Sequence, residues 1–174
     1  GRDSVPVVWE HTFVTAGTAP IDDPNLKGNI AEAVIAAEAT KLGIEVLRPM
    51  TEHCRYDMAF EIAGALLRVQ CKWAPRRGDV VTIKLTSSRL NWKGQIVTTY
   101  ASQEIDLVAA YCPDTGGCYL IPGELACDRS AIQLRLAETR NGQRASLHWA
   151  SDYEFDGAVA QLAERVSGTH EARG

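Results

Sequence analysis

Residues 55–73, RYDMAFEIAGALLRVQCKW, read as two apolar strands, 55–62 and 66–73, joined by Ala63-Gly64. A two-residue connection fixes the register of a hairpin. If Ile62 opposes Ala65, then Asp57 opposes Gln70. Directly opposed side chains leave the same face of the ladder, with Cβ atoms about 5 Å apart. Lys72, two residues beyond Gln70, shares that face, while Val69, Cys71 and Trp73 point the other way, toward a core. Asp57, Gln70 and Lys72 therefore converge.

Ahead of the hairpin, Lys27-Gly28-Asn29 opens the alanine-rich segment NIAEAVIAAEATKLG. Asn29 is an N-cap with Glu32 three positions on, and Gly43 ends the helix. On the wheel Glu32 falls beside Ile35, Ala36 and Ala39, roughly 80° or more from Glu38, Thr40 and Lys41. It projects from the small, apolar side that faces the sheet. A carboxylate there needs a partner, either a cation shared with Asp57 or Lys72 itself. Two readings fit this spacing. One is a metal-and-phosphate site. The other is a capping box for Glu32 beside an incidental Gln70 and a cross-strand Asp57–Lys72 pair of little energetic weight.

The remaining chain reads as strands at 44–47, 80–86, 96–100, 105–111, 118–121, 132–136 and 145–149, then a helix over 156–166 and a polar tail, SGTHEARG. One helix, several strands and a closing helix make a mixed α/β (α+β) domain. Residues 1–26, with APIDDP, read as an N-terminal arm. Among 174 residues, 45% are apolar and 23% charged, enough for one sizeable core. No apolar run approaches the 18–20 residues that span a bilayer, and the N-terminus lacks the order of a signal peptide. A soluble, cytoplasmic protein with no membrane partner is the expectation. Five cysteines without a CxxC pair suit reduced thiols. Cys112, Cys118 and His53-Cys54 lack the short spacings of a zinc site. The four histidines have no partners at motif spacing. Net charge is −4, yet residues 66–93 carry seven cations against one acid, a net +6, which leaves −10 for the rest. A basic stripe on an acidic body suits phosphate contacts, as it equally suits a solvated loop. Trp92, in SSRLNWKG, stands among those basic residues.

Three segments in order, KGNIAEAVIAAEATKLGIEVLRP, CRYDMAFEIAGALLRVQCK and EIDLVAAYCPDTGGCYLIP, resemble the PD-(D/E)xK nuclease superfamily. They are most similar to its group I intron-associated homing-endonuclease branch, with a G-x-x-A-E helix, a YD at a strand start and a Q-x-K strand. The resemblance implies a restriction-endonuclease-like core, a mixed β-sheet flanked by helices, over residues 27–122; residues 123–174, which it does not cover, read as C-terminal strands and a helix that complete the same domain. It also implies metal-dependent hydrolysis of DNA phosphodiester bonds with Mg²⁺, for which Mn²⁺ substitutes. Carried over, Glu32 is the helix acid, Asp57 the central metal ligand, Gln70 the substitute for the usual acid, and Lys72 the lysine. Asp57, Gln70 and Glu32 are then the metal ligands. Tyr56 stands where the superfamily has its proline.

Double-stranded DNA is the expected partner, with Arg76, Arg77, Arg89 and Lys93 on its phosphates. A cut through both strands needs two active sites, so a homodimer or higher homo-oligomer is expected. Two alternatives share this core: a Holliday-junction or other structure-specific nuclease, and a DNA-binding module whose cleavage has lapsed through the neutral Gln70.

Overall fold

A computed structural model describes residues 21–51, 54–92, 94–101, 103–137 and 147–171. His53, the expected phosphate contact Lys93 and most of the N-terminal arm lie outside these residues, as does the side chain of Arg89. Helix α1 spans Pro24–Lys41. It is followed by β1 (Glu45–Leu47), β2 (Met58–Ile62), β3 (Ala65–Trp73), β4 (Arg76–Arg77), β5 (Val80–Lys84), β6 (Thr86–Asn91) and β7 (Gly94–Thr99). Then come β8 (Leu107–Cys112), β9 (Gly117–Pro122), the short α2 (Gly123–Ala126), β10 (Ala131–Arg135), β11 (His148–Trp149), a 3₁₀ turn (Ala150–Tyr153) and α3 (Phe155–Glu171).

Strands β1-β2-β3-β8-β9 form a mixed five-stranded sheet whose only parallel pair is β3–β8. A second sheet runs β11-β10-β5-β4, and β6–β7 is a two-stranded ribbon. The β2–β3 register pairs Ile62 with Ala65 and Met58 with Val69, as the two-residue turn requires. Ala63 and Gly64 both take positive φ, 51° and 78°, the pattern of a type I′ turn, whose twist matches that of the strands it joins.

Alternation along β3 separates two cores. Val69 and Cys71 pack with Ala31, Ile35 and Ala39 of α1 and with Phe155 of α3. On the other face, Val108 and Ala110, the partners of Gln70 and Lys72, pack with Val81, Ile83 and Tyr100 beneath the second sheet. The layers are thus helices, first sheet, second sheet. Asp106 fixes the start of the parallel pairing: its N–H donates to Arg68 C=O at 2.9 Å. Its carboxylate accepts Arg68 N at 2.8 Å and the guanidinium at 2.9 and 3.0 Å. That ion pair holds the Asp106 carboxyl below its ordinary range.

Three boundaries differ from the sequence reading. Helix α1 starts at Pro24, not Asn29: Asp23 is the N-cap, accepting Asn25 N–H at 2.9 Å, with proline at the first helical position. Asn29 is interior, so no capping box engages Glu32. The C-terminal end is as expected: Gly43 at φ 76° lets Ile44 N–H reach Ala39 C=O at 3.0 Å, and Gly43 N–H reaches Thr40 C=O at 3.0 Å. Helix α3 continues to Glu171 through the supposed tail, because nothing after Val166 breaks it more strongly than Gly168. Finally, 80–86 is two strands, and SSRLNWKG forms part of a hairpin, Thr86 opposing Thr99 and Asn91 opposing Gly94.

Two glycines test the packing with opposite signs. A Cβ at Gly123 lies 2.8 Å from the backbone oxygens of both Ile105 and Asp106. Gly123→Ala therefore costs about 2 kcal/mol of stability through overpacking. At Gly157, in α3, nothing lies within 4 Å of the added carbon, and Gly157→Ala gains about 1 kcal/mol. Urea midpoints moving in the same direction for both variants contradict the packing described.

Candidate active site

Asp57 precedes β2, where its N–H donates to Val69 C=O at 2.9 Å and anchors it to β3. Its Oδ2 accepts the Cys71 N–H at 2.7 Å and the Gln70 side-chain amide. The opposition of Asp57 and Gln70 derived from the turn is therefore present as a direct contact. Both bonds fall on Oδ2, which leaves Oδ1 without a protein donor among the described residues. Lys72 donates from Nζ to Tyr100 Oη at 2.8 Å and to Thr86 C=O at 3.3 Å, and lies 5.0 Å from the Tyr100 ring centroid. Asp57, Gln70 and Lys72 line one open cleft of about 490 Å³ with Asn25, Arg55 and Tyr100.

Glu32 is placed differently. It sits on α1, over the sheet face opposite Gln70 and Lys72, and does not line the cleft. Its partner is Arg48, at 3.3 Å, not Lys72. Asp57, at the edge of the hairpin, is the group whose charge reaches both: it raises the Glu32 carboxyl and opposes the lowering of Lys72.

The electrostatics are those of charges held partly out of water. Burial raises the Asp57 carboxyl above its ordinary range, against the Cys71 N–H, the Lys72 charge and the Gln70 amide. Burial also raises Glu32, and the Asp57 carboxylate raises it further. Lys72 is lowered by burial despite Asp57. Tyr100 is pushed up to about 12 by burial and the Asp57 charge, so it stays a neutral phenol that takes the Lys72 proton donor. Arg55 lies 5.5 Å from the same ring and is fixed by Glu104 at 2.9 and 3.0 Å.

Two carboxylates that repel each other, beside a neutral amide oxygen, suit a hard divalent cation with oxygen ligands. Asp57 and Gln70 supply the oxygens in the cleft, and Glu32 supplies a second charge within electrostatic reach. Among the described residues no three His, Cys, Asp or Glu side chains gather in a group that could hold a metal ion.

Tyr100 and Arg48 were not singled out from the sequence. Tyr100 closes an ordinary strand pattern and Arg48 follows a short strand, so only the fold reveals their partners. Of the expected phosphate contacts, Arg76 and Arg77 are both exposed, and Arg76 is engaged locally, donating to Gly78 C=O at 2.6 Å and lying 3.7 Å from Asp79. Arg89 lies in β6, opposite Ile96.

A family model described as PD-(D/E)XK endonuclease matches residues 22–156. Among solved structures, a bacterial homing endonuclease aligns with a TM-score of 0.67 over 84% of this chain and 97% of its own, at 24% identity. That likeness is one of fold. No curated protein matches the sequence.

A buried carboxylate with a raised pKa destabilises the metal-free protein above that pKa, and the effect vanishes once the group is protonated in both the folded and the unfolded chain. Asp57→Asn keeps both hydrogen-bond acceptances and removes the charge. It therefore raises the Tm of the metal-free protein at neutral pH by a few degrees, at about 2–4 °C per kcal/mol for a chain of this size. The gain disappears near pH 4 and below. Calorimetry showing no gain at pH 7, or one that grows on acidification, contradicts the assignment.

Proposed function

This chain belongs to the PD-(D/E)XK endonuclease family, and on that premise we propose that it is a Mg²⁺-dependent, homing-endonuclease-like enzyme hydrolysing phosphodiester bonds of duplex DNA at the Asp57–Gln70–Lys72 cleft. The single observation that carries this reading is the convergence of a desolvated carboxylate, an amide and a lysine on one polar cleft.

Asp57 and Gln70 would hold the ion, with Glu32 contributing through water or a second ion, and Mn²⁺ would substitute. When bound, such an ion lowers the pKa of a water and neutralises charge on the attacked phosphate. The chain's own residues supply the rest. Cys71 N–H and the Gln70 amide fix the Asp57 carboxylate, so its remaining oxygen is presented without rearrangement. Lys72, braced on Tyr100 and Thr86, brings a positive charge to the phosphate where negative charge develops. Arg76, Arg77, Arg89 and Lys93 are the proposed phosphate contacts along the duplex. Two copies of the chain supply the two cuts of a double-strand break. Five cysteines, none in a disulfide, suit the reducing cytoplasm. No helix among the described residues is long and apolar enough to cross a membrane.

Gln70 favours one alternative, a DNA-binding module without cleavage, since it brings an oxygen without charge. Conversion of supercoiled plasmid to nicked or linear product in Mg²⁺ separates the two. The wild type nicks; Asp57→Ala and Lys72→Ala do not, yet bind DNA as before. Tyr100→Phe slows nicking about tenfold, the scale of one lost hydrogen bond to a charged group. Gln70→Glu places a further charge beside the ion and binds Mg²⁺ about tenfold more tightly by calorimetry, far less than bare Coulomb attraction gives, because desolvation and repulsion from Asp57 oppose it. Undiminished nicking by Asp57→Ala removes the site.

A further inference from the structure

The second sheet has one face on the core and one toward solvent. Val81, Ile83, Ile132 and Leu134 are buried, so Val80, Thr82, Lys84, Ala131, Gln133 and Arg135 point outward. The register extends this face across the sheet. Arg77 opposes Val80, Val80 opposes Arg135, and Arg135 is paired with Trp149. Arg129 joins it, lining a concavity of about 380 Å³ with Val80, Gln133 and Arg135.

No acidic residue occurs in any of the four strands, and none between Val80 and Gln103. The acid in the β4–β5 turn, Asp79, is engaged by Arg76 at 3.7 Å. The partnering of arginines sets this face apart. Eight arginine side chains are described. Arg48, Arg55, Arg68, Arg76 and Arg165 are each ion-paired with an acid. The other three, Arg77, Arg129 and Arg135, have no ion pair or side-chain hydrogen bond among the described residues, and all three lie on this face. Lys84, also unpaired and exposed, stands at its end. Like charges gathered without an ion-paired acid among the described residues repel one another, and an external polyanion relieves that repulsion.

The face is continuous with the cleft. Lys84 ends β5, and Thr86, two residues on, lines the cleft and accepts the Lys72 proton donor. From Lys84 back to Val80 is about 13 Å at the rise of a strand, the axial length of about four base pairs. Arg77 and Arg135 flank Val80 about 5 Å to either side.

We infer that the outer face of the second sheet is a sugar-phosphate contact surface for duplex DNA, with Lys84 at the end nearest the cleft and Arg77, Arg129 and Arg135 neutralising phosphates over about the next four base pairs. The inference rests on the nuclease reading for the identity of the polyanion. A second copy of the chain is a poor occupant, because a cationic face set against itself loses energy.

The test is binding of a labelled duplex of arbitrary sequence, without divalent metal, as a function of salt. Arg129→Ala/Arg135→Ala lies outside the cleft. It flattens the slope of log K against log salt by nearly two units, about 0.9 for each lost phosphate contact. Its Tm is unchanged. Lys41→Ala, on α1 and paired with Glu38 at 2.7 Å, leaves the slope alone. An unchanged slope in the double variant overturns the surface. So does a loss of self-association, or of binding to anionic vesicles, with DNA binding intact. A wild type that nicks while the slope stays fixed refutes the surface and spares the nuclease reading. A flattened slope with a wild type that never nicks does the reverse.

Discussion

The Ala63-Gly64 turn governs the geometry of the candidate active site. With both residues at positive φ, it admits one register of β2 on β3. A slip by one residue exchanges the two faces of a strand. It would put Gln70 and Lys72 into the apolar layer under α1 and Val69 and Cys71 into the cleft. Because β3 also pairs in parallel with β8, clamped at its start by Asp106 and Arg68, the slip would be opposed twice. The arrangement of Asp57, Gln70 and Lys72 is therefore held by backbone geometry and by apolar burial on the far face.

Within that frame the cleft is electrostatically dissatisfied. Asp57 is half-buried and, among the described residues, accepts two hydrogen bonds. Glu32, repelled by Asp57, is offset by an Arg48 that is itself half-exposed. Lys72 does not sit on Asp57 as a simple cross-strand pair; it is drawn onto Tyr100 and Thr86. A structural ion pair would have placed the two charges together. Their separation, each group fixed by neutral or backbone partners, is what an exogenous cation and a phosphate require.

The site core was legible because period-two alternation and a two-residue turn leave little freedom: Asp57, Gln70 and Lys72 follow from counting. Glu32 was legible as a misplaced acid but not in its pairing, because the 16 residues separating it from Arg48 include a helix end and a strand. The helix start was written in Asp23-Pro24, and reading APIDDP as loop concealed it. Tyr100 carries no local signal, since its role depends on the chain after β7 bringing its hydroxyl to Lys72 of β3. The second sheet was visible only as separate strands. Its basic outer face needs the pairing of 76–84 with 131–135, a contact between distant segments that no local pattern encodes.

The most direct test of the cleft is the position of a metal bound with DNA. Crystals of the complex grown in Mn²⁺, with anomalous scattering recorded for the ion, locate it without assumption. The account predicts a peak within bonding distance of an Asp57 carboxylate oxygen, with the Gln70 amide oxygen turned toward it and Lys72 beside a DNA phosphate. A Mn²⁺ peak bound elsewhere on the chain, with Asp57 still held only by Gln70 and Cys71, contradicts it.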